Sequence, residues 1–582
     1  MFQATMDTKA RRKLGIHYAE EENILKLIKP LFMNDLNKEF EEVQNDLNKL
    51  DIFHKKLSNL KFLDPACGTG NFLIIAYREL RRLELKIIEK KREKNKKLSI
   101  EDYKYVINNS IINVNQFYGL EIDPLAIEIA KIGMWLINHQ CNMELNQKFW
   151  HYYERPSTSF KEFTKIFKCN ALRVDWLEVL EVDKIDFILG NPPFVGASRM
   201  TKDQKQDIQN TVKDPQNRII KGNGNIDYVV GWYYKASQLT IKNKNLRIAF
   251  VSTNNITQGE QTAIVWKSLM EDYKIKIDFA HRTFKWTSQA RGKASVHCVI
   301  VGFSNENIKT RKIIYDADSE VKAENINGYL VNFKNIFIER RTKPICEVPV
   351  FIRGSDSVDG GNLIIDDKEY ECFVNLEPKS KKYIKQYMMG KEFINGLKRY
   401  CLWLVDVSPT ELQQMPEVLK RIQKCKEARL NMKSEQSRKY SEQPSLFATN
   451  RQPNTDYIAI PIVSSENRQY IPIDYLSKDI IAGEKLFTMQ NATIYHFGIL
   501  TSNIHMAWMR AICGRLENRY SYSNTIVYNN FPWPTPTDKQ RISIEQAAKN
   551  VLDTRAMYTN DSLATLYDPI TMPPSLIRHT KY

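Results

Sequence analysis

The stretch FLDPACGTGNF, at residues 62–72, constrains the fold more than any other part of the chain. An apolar run leads into Asp64, and a loop spaced by Gly68 and Gly70 then leads into a helix-forming run. A strand, a tight loop and a helix in this order form the opening unit of a Rossmann-type doubly wound sheet. Glycines leave no side chain where a ligand must approach the backbone, and amides at a helix start attract a carboxylate. The sequence therefore predicts an α/β fold with a ligand site after its first strand.

Two further strands are predicted to end in polar side chains. In GLEIDP (119–124), Glu121 stands at the end of the second strand, where an acid can accept hydrogen bonds from both ribose hydroxyls of an adenosine. In IFKCN (166–170), the third strand ends at Asn170, whose amide can bond an adenine edge. Because parallel sheets bind ligands at the carboxyl ends of their strands, we expect these loops to converge with the first one.

The motif NPPF directly follows a fourth apolar strand, predicted at 185–189. An exocyclic amine of adenine or cytosine is a poor nucleophile, because its lone pair is delocalised into the ring. The side-chain oxygen of Asn191 and the main-chain carbonyl of Pro192, held rigid by Pro192 and Pro193, can accept the amine hydrogens and favour attack. Phe194 can stack on a base that has been flipped out of a duplex. The motif therefore predicts positioning and electrostatic catalysis on an amine.

Three later apolar runs are predicted to complete a seven-strand sheet, at 247–256, 275–286 and 295–303. The aromatic cluster Phe284–Trp286 falls between the last two strands. It suits either the wall of a base pocket or buried packing, and the sequence leaves both open. Residues 304–350 are predicted to be a connector with modest order.

The character of the chain changes from about Tyr387, where we expect a separate α+β domain. Helices are predicted at 415–432 and 498–514, a polar loop at 434–455, and short strands at 457–463, 470–473, 480–482 and 486–489. Basic and aromatic residues interleave in this half, which suits nucleic acid. The candidate DNA contacts are Arg438, Lys439, Arg451 and Arg468.

The expected organisation has five segments. They are an N-terminal helical flank (1–58), a catalytic domain (59–345), a connector (346–386), a target-recognition domain (387–540) and a C-terminal tail (541–582).

Composition further limits the possible partners and cellular compartment. The formal net charge is +17, which favours a polyanionic partner such as double-stranded DNA. The nine cysteines form no CxxC pair, so we expect a reducing compartment and no metal site. No apolar run reaches transmembrane length and no signal-peptide core is present, which predicts a cytoplasmic protein without a membrane partner.

Taken together, these motifs resemble the gamma-type amino-methylating DNA methyltransferases, and most closely the methyltransferase and specificity parts of type IIL (MmeI-like) restriction–modification enzymes. The stretches that resemble the family are GIHYAEEENI, DPACGTGNF, GLEIDP, NALRVDW, GNPPF, FKWTSQARGKASVHCVIVGF, FINGLKRYCLWL, YHFGILTSNIHMAWMRAICGRL and YSNTIVYNNFPWP. The resemblance implies a class I, Rossmann-like fold and transfer of methyl from S-adenosylmethionine (SAM) to the N6 amine of adenine in a short DNA sequence.

The resemblance also implies which residues act. Asp64, Gly68 and Gly70 would contact the methionine part of SAM, Glu121 the ribose and Asn170 the adenine. The full set of cofactor-binding residues implied is Tyr18, Asp64, Ala66, Gly68, Gly70, Glu121, Ile122, Asn170, Ala171 and Asn191. Asn191, Pro192, Pro193 and Phe194 would act on the target base.

Three departures from the family pattern matter. Ala19 stands where the family commonly has a threonine that can bond the SAM carboxylate, and Phe194 stands where tyrosine is more usual. Only 14 residues precede Gly15, where the family carries a nuclease and a helical spacer. We therefore expect that the chain alone does not cut DNA. It is then either a stand-alone methyltransferase or the modification half of a system whose nuclease is a separate polypeptide.

Three other functions stay open on the sequence alone. One is an enzyme of the same fold that methylates the N4 amine of cytosine. Another is a methyltransferase acting on protein or RNA amides, since such enzymes also use an NPP-aromatic motif. A catalytically idle DNA-specificity subunit is the third alternative.

Overall fold

The computed structural model describes residues 21–94, 109–149, 165–286, 296–306, 311–317 and 319–580. The chain divides into two compact units, Met1–Phe337 and Ile338–Tyr582.

The first unit is an α/β unit built around one large sheet. Its helices, in chain order, are α1 (Glu21–Ile28), α2 (Asn34–Val43), α3 (Leu47–Asn59), α4 (Asn71–Lys94), α5 (Pro124–Phe149), α6 (Trp176–Leu180), α7 (Lys202–Thr211), α8 (Val230–Lys242) and α9 (Gly259–Glu271). Its strands are β1 (Phe62–Asp64), β2 (Phe117–Glu121), β3 (Lys165–Lys168), β4 (Phe187–Gly190), β5 (Arg247–Thr253), β6 (Ile275–Trp286), β7 (Val296–Asn305), β8 (Lys312–Asp316) and β9 (Ser319–Ala323).

The strand order is β3-β2-β1-β4-β5-β7-β6-β8-β9. The first five strands in this order run parallel, and β7 is antiparallel to both β5 and β6. The chain reverses direction across the sheet between β1 and β4, which is the switch point where doubly wound folds bind ligands. The carboxyl ends of β1 to β4 therefore lie along one edge, as the sequence predicts.

Burial explains why the central strands contain so few polar residues. The strands β1 and β4 are buried along their whole length, because helices cover both faces of a parallel sheet. One hydrophobic cluster packs around Trp232, Tyr233 and Trp266 from α8 and α9. A second packs around Phe32 and Tyr77 from the N-terminal helical segment and α4.

The sheet is larger than the seven strands predicted. β8 pairs in parallel with β6, and β9 follows as an antiparallel hairpin partner. Residues 304–350 were predicted to be a connector, and the sequence of β9, SEVKA, contains no apolar run. In the structure β9 is exposed at four of its five positions. An edge strand can be polar because only one side of it pairs with the sheet.

The second unit is α+β, as predicted. Its helices are α10 (Asp367–Leu376), α11 (Gly390–Asn395), α12 (Pro409–Gln413), α13 (Pro416–Leu430), α14 (Glu435–Lys439), α15 (Ile494–Leu500), α16 (Asn503–Ile512), α17 (Asp538–Ala556), α18 (Leu563–Leu566) and α19 (Pro574–Thr580). Its strands are β10 (Ile352–Arg353), β11 (Ile364–Asp366), β12 (Ile384–Met388), β13 (Arg399–Leu402), β14 (Tyr457–Pro461), β15 (Val463–Ser464), β16 (Asp474–Leu476), β17 (Ile481–Ala482), β18 (Leu486–Gln490), β19 (Gly514–Leu516) and β20 (Arg519–Ser521).

Several local predictions for this unit were wrong. The strand expected at 470–473 lies instead at β16, and the helix expected at 498–514 is two helices, of which α16 begins at a Ser502 cap. The expected connector at 346–386 contains strands and a helix, and the expected tail at 541–582 is largely helical. Within the described residues, no helix is both long enough and apolar enough to cross a membrane.

Candidate active site

The loop after β1 is built around the buried carboxylate of Asp64. Asp64 is 1% exposed, and its Oδ1 accepts a hydrogen bond from the Ala66 N–H at 3.0 Å. Its Oδ2 has no hydrogen-bond partner in the described part of the chain. Burial raises the pKa of Asp64 to about 8, and the nearby Glu121 carboxylate adds to the rise. The site therefore presents a buried oxygen that suits a cationic group.

Both predicted loop glycines adopt a left-handed conformation. The φ of Gly68 is +53° and that of Gly70 is +83°, a region that side chains disfavour. A Cβ on Gly70 would also lie 3.1 Å from the Cβ of Ala130 in α5. The glycines thus allow the tight turn and its close packing against α5.

Glu121 accepts hydrogen bonds from three main-chain N–H groups. Oε2 bonds the N–H of Gly68 at 2.9 Å, and Oε1 bonds those of Ile122 at 2.8 Å and Asp123 at 2.9 Å. Burial raises the pKa of Glu121, and these three bonds oppose the rise. The sequence predicted only a ligand contact for this side chain. The structure adds that Glu121 joins the loop after β1 to the end of β2.

Asn170 lies in the loop after β3 and is held by two hydrogen bonds. Its Oδ1 accepts from the Leu172 N–H at 3.0 Å, and its Nδ2 donates to Asp207 Oδ2 at 3.1 Å. Ala171 is buried beside it, and no described group bonds the Ala171 N–H. Sequence reasoning missed Asp207, because it lies 37 residues away on a polar helix whose pattern gives no sign of a site.

The NPPF motif begins directly after Gly190, the last residue of β4. Pro192 is buried, while Asn191, Pro193 and Phe194 are partly exposed. Phe194 packs against the two large hydrophobic clusters described above. The motif thus lies at the same sheet edge as the other three loops.

Two contacts fix the surroundings of this motif. The Tyr228 N–H donates to the Val195 carbonyl at 2.8 Å, just after Phe194. The Trp232 indole N–H donates to the Pro65 carbonyl at 3.0 Å. Residues 228–232 therefore contact both the segment after NPPF and the loop after β1.

Phe284 lies within β6 and not, as predicted, between two strands, and it is partly buried against one of the hydrophobic clusters. The Lys26 ammonium lies 5.5 Å from its ring centroid. These contacts favour packing over a base-pocket wall.

Tyr18 and Ala19 lie outside the described residues, so the predicted role of Tyr18 stays a prediction.

The four basic residues proposed for DNA contact lie in the second unit and differ in their surroundings. Arg438 donates to the main-chain carbonyls of Met432 and Lys433, and Lys439 pairs with Glu435 at 3.5 Å on an exposed helix. Arg451 is exposed.

Arg468 is partly exposed, and burial lowers its pKa. The DNA contacts of all four basic residues remain predictions.

A buried arginine in the second unit was not expected from the sequence. Arg429 of α13 is fully buried and donates five hydrogen bonds of 2.7–2.9 Å to main-chain carbonyls. The acceptors are the carbonyl oxygens of Ser357, Val358, Tyr440, Gln443 and Leu446. Arg429 therefore holds the segment 440–446, in the predicted polar loop, against the segment 357–358.

The strand order and the four loops at one edge define a Rossmann-like methyltransferase fold. Family models match three consecutive parts of the chain. They are the MmeI DNA-methyltransferase domain (40–316), the MmeI target recognition domain (332–535) and the MmeI C-terminal domain (536–581).

A solved structure of the type IIL restriction–modification enzyme MmeI in complex with DNA is 44% identical, with a TM-score of 0.93, and the match covers 99% of this chain and 76% of that one. DNA methyltransferase A of Bacillus subtilis (strain 168) is 36% identical over 584 residues, covering all of this chain and 64% of the relative. The chain belongs to the MmeI-like family, and it spans about two thirds of the length of this curated relative.

Proposed function

We propose that the chain transfers a methyl group from SAM to the N6 amine of an adenine flipped out of duplex DNA, as part of a restriction–modification or related system. The observation that carries this proposal is the convergence of four loops, which begin at Asp64, Glu121, Asn170 and Asn191, at one edge of the sheet. The first three of these loops carry polar groups that could bind a zwitterionic nucleoside. The fourth carries acceptors that could bind an amine.

The residues of the first three loops fit SAM. When bound, SAM supplies a methyl group that is already activated on a sulfonium. Asp64 Oδ2 is a buried acceptor with no described partner and suits a cationic part of the molecule. Glu121 would accept from the ribose through the remaining capacity of its carboxylate, and Asn170 and the Ala171 N–H would bond the adenine edge. The chain therefore has polar groups suited to the cationic, ribose and adenine parts of this cofactor.

The fourth loop positions the target amine. Asn191 Oδ1 and the Pro192 carbonyl accept the two amine hydrogens, which directs the nitrogen lone pair towards the methyl group. Phe194 stacks on the flipped base. No general base is needed at the step in which the nitrogen–methyl bond forms and the sulfur–methyl bond breaks to leave a thioether, and the surplus proton then passes from the amine to solvent.

DNA is the substrate class that the second unit favours. That unit matches a target recognition domain, and the relative MmeI was solved with DNA. The net charge of +17 suits a phosphate backbone. We assign sequence recognition to the second unit.

The test is methylation of unmethylated plasmid by the purified full chain with isotopically labelled SAM, followed by mass analysis of the nucleosides. N6-methyladenine at one short sequence is the expected product. N4-methylcytosine would establish the cytosine alternative instead, and SAM binding with no methylated nucleoside would contradict the proposed activity. Label in protein or RNA supplied in place of the plasmid would point to amide methylation.

Replacing Glu121 by alanine is expected to weaken SAM binding by about 1.5–3 kcal/mol, because a carboxylate that bonds both ligand and loop is lost. Calorimetric titration of SAM measures the change. The matched control is Asp123→Asn, which alters the neighbouring acid but keeps an oxygen for the Leu125 N–H. A dissociation constant unchanged by Glu121→Ala would exclude the ribose contact.

SAM binding is expected to release a proton near neutral pH. Burial raises the pKa of Asp64 to about 8, which favours the protonated carboxyl at pH 7. A cationic group beside it favours the ionised form and lowers its pKa. SAM affinity should then rise with pH and level off above about pH 8. Calorimetry at pH 7 in phosphate and in Tris measures the released protons, and Asp64→Asn should abolish the release. Equal heats in both buffers for the unmodified chain would contradict this expectation.

A further inference from the structure

Asp207 lies at the centre of a hydrogen-bond network that reaches the adenine side of the cofactor site. It is 4% exposed on α7, and its Oδ1 accepts from Arg173 Nε at 2.6 Å. Its Oδ2 accepts from Asn170 Nδ2 at 3.1 Å and from the Tyr228 hydroxyl at 3.0 Å. Three segments distant in sequence therefore meet at one carboxylate.

This network permits only one orientation of the Asn170 amide. In the observed orientation the amide nitrogen faces the Asp207 carboxylate and the amide oxygen faces the Leu172 N–H. A flipped amide would place its oxygen against a carboxylate oxygen and its NH₂ against another N–H, so both bonds would become repulsive. Because a carboxylate can only accept hydrogen bonds, Asp207 determines the orientation of the Asn170 amide.

After these two bonds the Asn170 amide keeps one oxygen lone pair for a ligand, because its NH₂ group also interacts with the Tyr228 hydroxyl. An adenine edge presents an acceptor ring nitrogen beside the N6 donor, so the Asn170 oxygen can accept from N6 while the Ala171 N–H donates to the ring nitrogen. Hypoxanthine carries an oxygen in place of the N6 amine. In the same amide orientation the Asn170 oxygen would face this oxygen, and two acceptors repel each other.

We propose that Asp207 is a positioning residue that fixes the Asn170 amide in the orientation that selects an adenine-containing methyl donor. The inference rests on the proposed function, because it takes Asn170 as the adenine contact. Asp207 itself touches no ligand. Its role is to exclude the amide orientation that would accept hypoxanthine.

The experiment compares the binding of two nucleoside products, S-adenosylhomocysteine and S-inosylhomocysteine, to the full chain by calorimetry. The measured quantity is the ratio of their dissociation constants. Asp207→Asn should lower the preference for the adenine ligand by about tenfold, because an amide at 207 can donate as well as accept and so tolerates a flipped Asn170. The control Asp214→Asn should keep the ratio, since Asp214 is another buried carboxylate but pairs with Arg218 outside the site.

Two further variants separate positioning from mere stability. In an Asn170→Ala background, Asp207→Asn should leave the ratio unchanged, because Asp207 acts only through Asn170. Arg173→Gln tests the network without a buried substitution, since the Arg173 side chain is 55% exposed, and it should lower the ratio by a smaller factor.

The outcomes distinguish this inference from the proposed function. If Asp207→Asn and Arg173→Gln weaken both ligands equally, or if Asp207→Asn still changes the ratio in the Asn170→Ala background, the positioning role is wrong. If Asn170→Ala itself leaves the ratio unchanged, Asn170 does not contact adenine, and the assignment in the proposed function fails as well.

Discussion

Methyl transfer by an Asn191→Ala variant is expected to fall by about a hundredfold or more, which is the typical loss when a positioned charge-stabilising group is removed. The alanine removes one of the two acceptors that we propose for the target amine. SAM affinity should change little, because most of the cofactor contacts proposed above belong to the loops that begin at Asp64, Glu121 and Asn170. Single-turnover methylation and calorimetric titration of SAM measure the two quantities separately.

The matched control is Asn243→Ala. Asn243 follows α8 and donates to the Ile185 carbonyl at 2.6 Å, just before the amino end of β4 and so away from the ligand edge. Its loss removes a hydrogen bond from the same strand region without touching NPPF. Turnover near the unmodified rate in Asn191→Ala would exclude Asn191 from the chemistry. A large loss of SAM affinity would assign it to the cofactor instead.

The second large effect is expected at Arg429, whose replacement by methionine should lower the free energy of unfolding of the second unit by about 3–5 kcal/mol. Methionine fills much of the space but leaves five main-chain carbonyl groups without the guanidinium donor. Amide hydrogen exchange in the segment 440–446 should accelerate together with this loss. Urea unfolding and hydrogen exchange of the full chain measure both effects.

Lys426→Met is the control for this change, because it places the same residue on an exposed position of α13. It should leave unfolding and exchange unchanged. The first unit should retain its SAM affinity in both variants. An Arg429→Met chain with unaltered exchange in the segment 440–446 would show that the five bonds do not hold this segment.

The sequence predicted the first unit well because its central strands are buried and end in polar residues. Asp64, Glu121, Asn170 and Asn191 each follow an apolar run, so a local pattern was enough to place them at one edge. The second unit has short strands. β16 directly follows the run at 470–473, whose sequence is equally typical of a strand. In such strands the pairing partner, rather than the local pattern, decides where the strand lies.

The residues missed by sequence reasoning share a physical cause. Asp207 bonds Asn170 across 37 positions, and Arg429 bonds the Val358 carbonyl across 71. Each is a charged residue in a helix, where a charge normally indicates a solvated face. Only the tertiary packing buries these two side chains and supplies their partners.

The close approach of Gly190 to Asp64 has a consequence for directed evolution. A Cβ at position 190 would lie 2.5 Å from Asp64 Oδ1 and 3.0 Å from its Cγ. Neither atom can move freely, because Asp64 is buried and bonded to Ala66. A library that randomises residues before NPPF would therefore lose almost every member in which Gly190 is changed. Ser198 and Arg199, which are exposed a few residues after the motif, offer positions where diversity can be introduced without disturbing this packing.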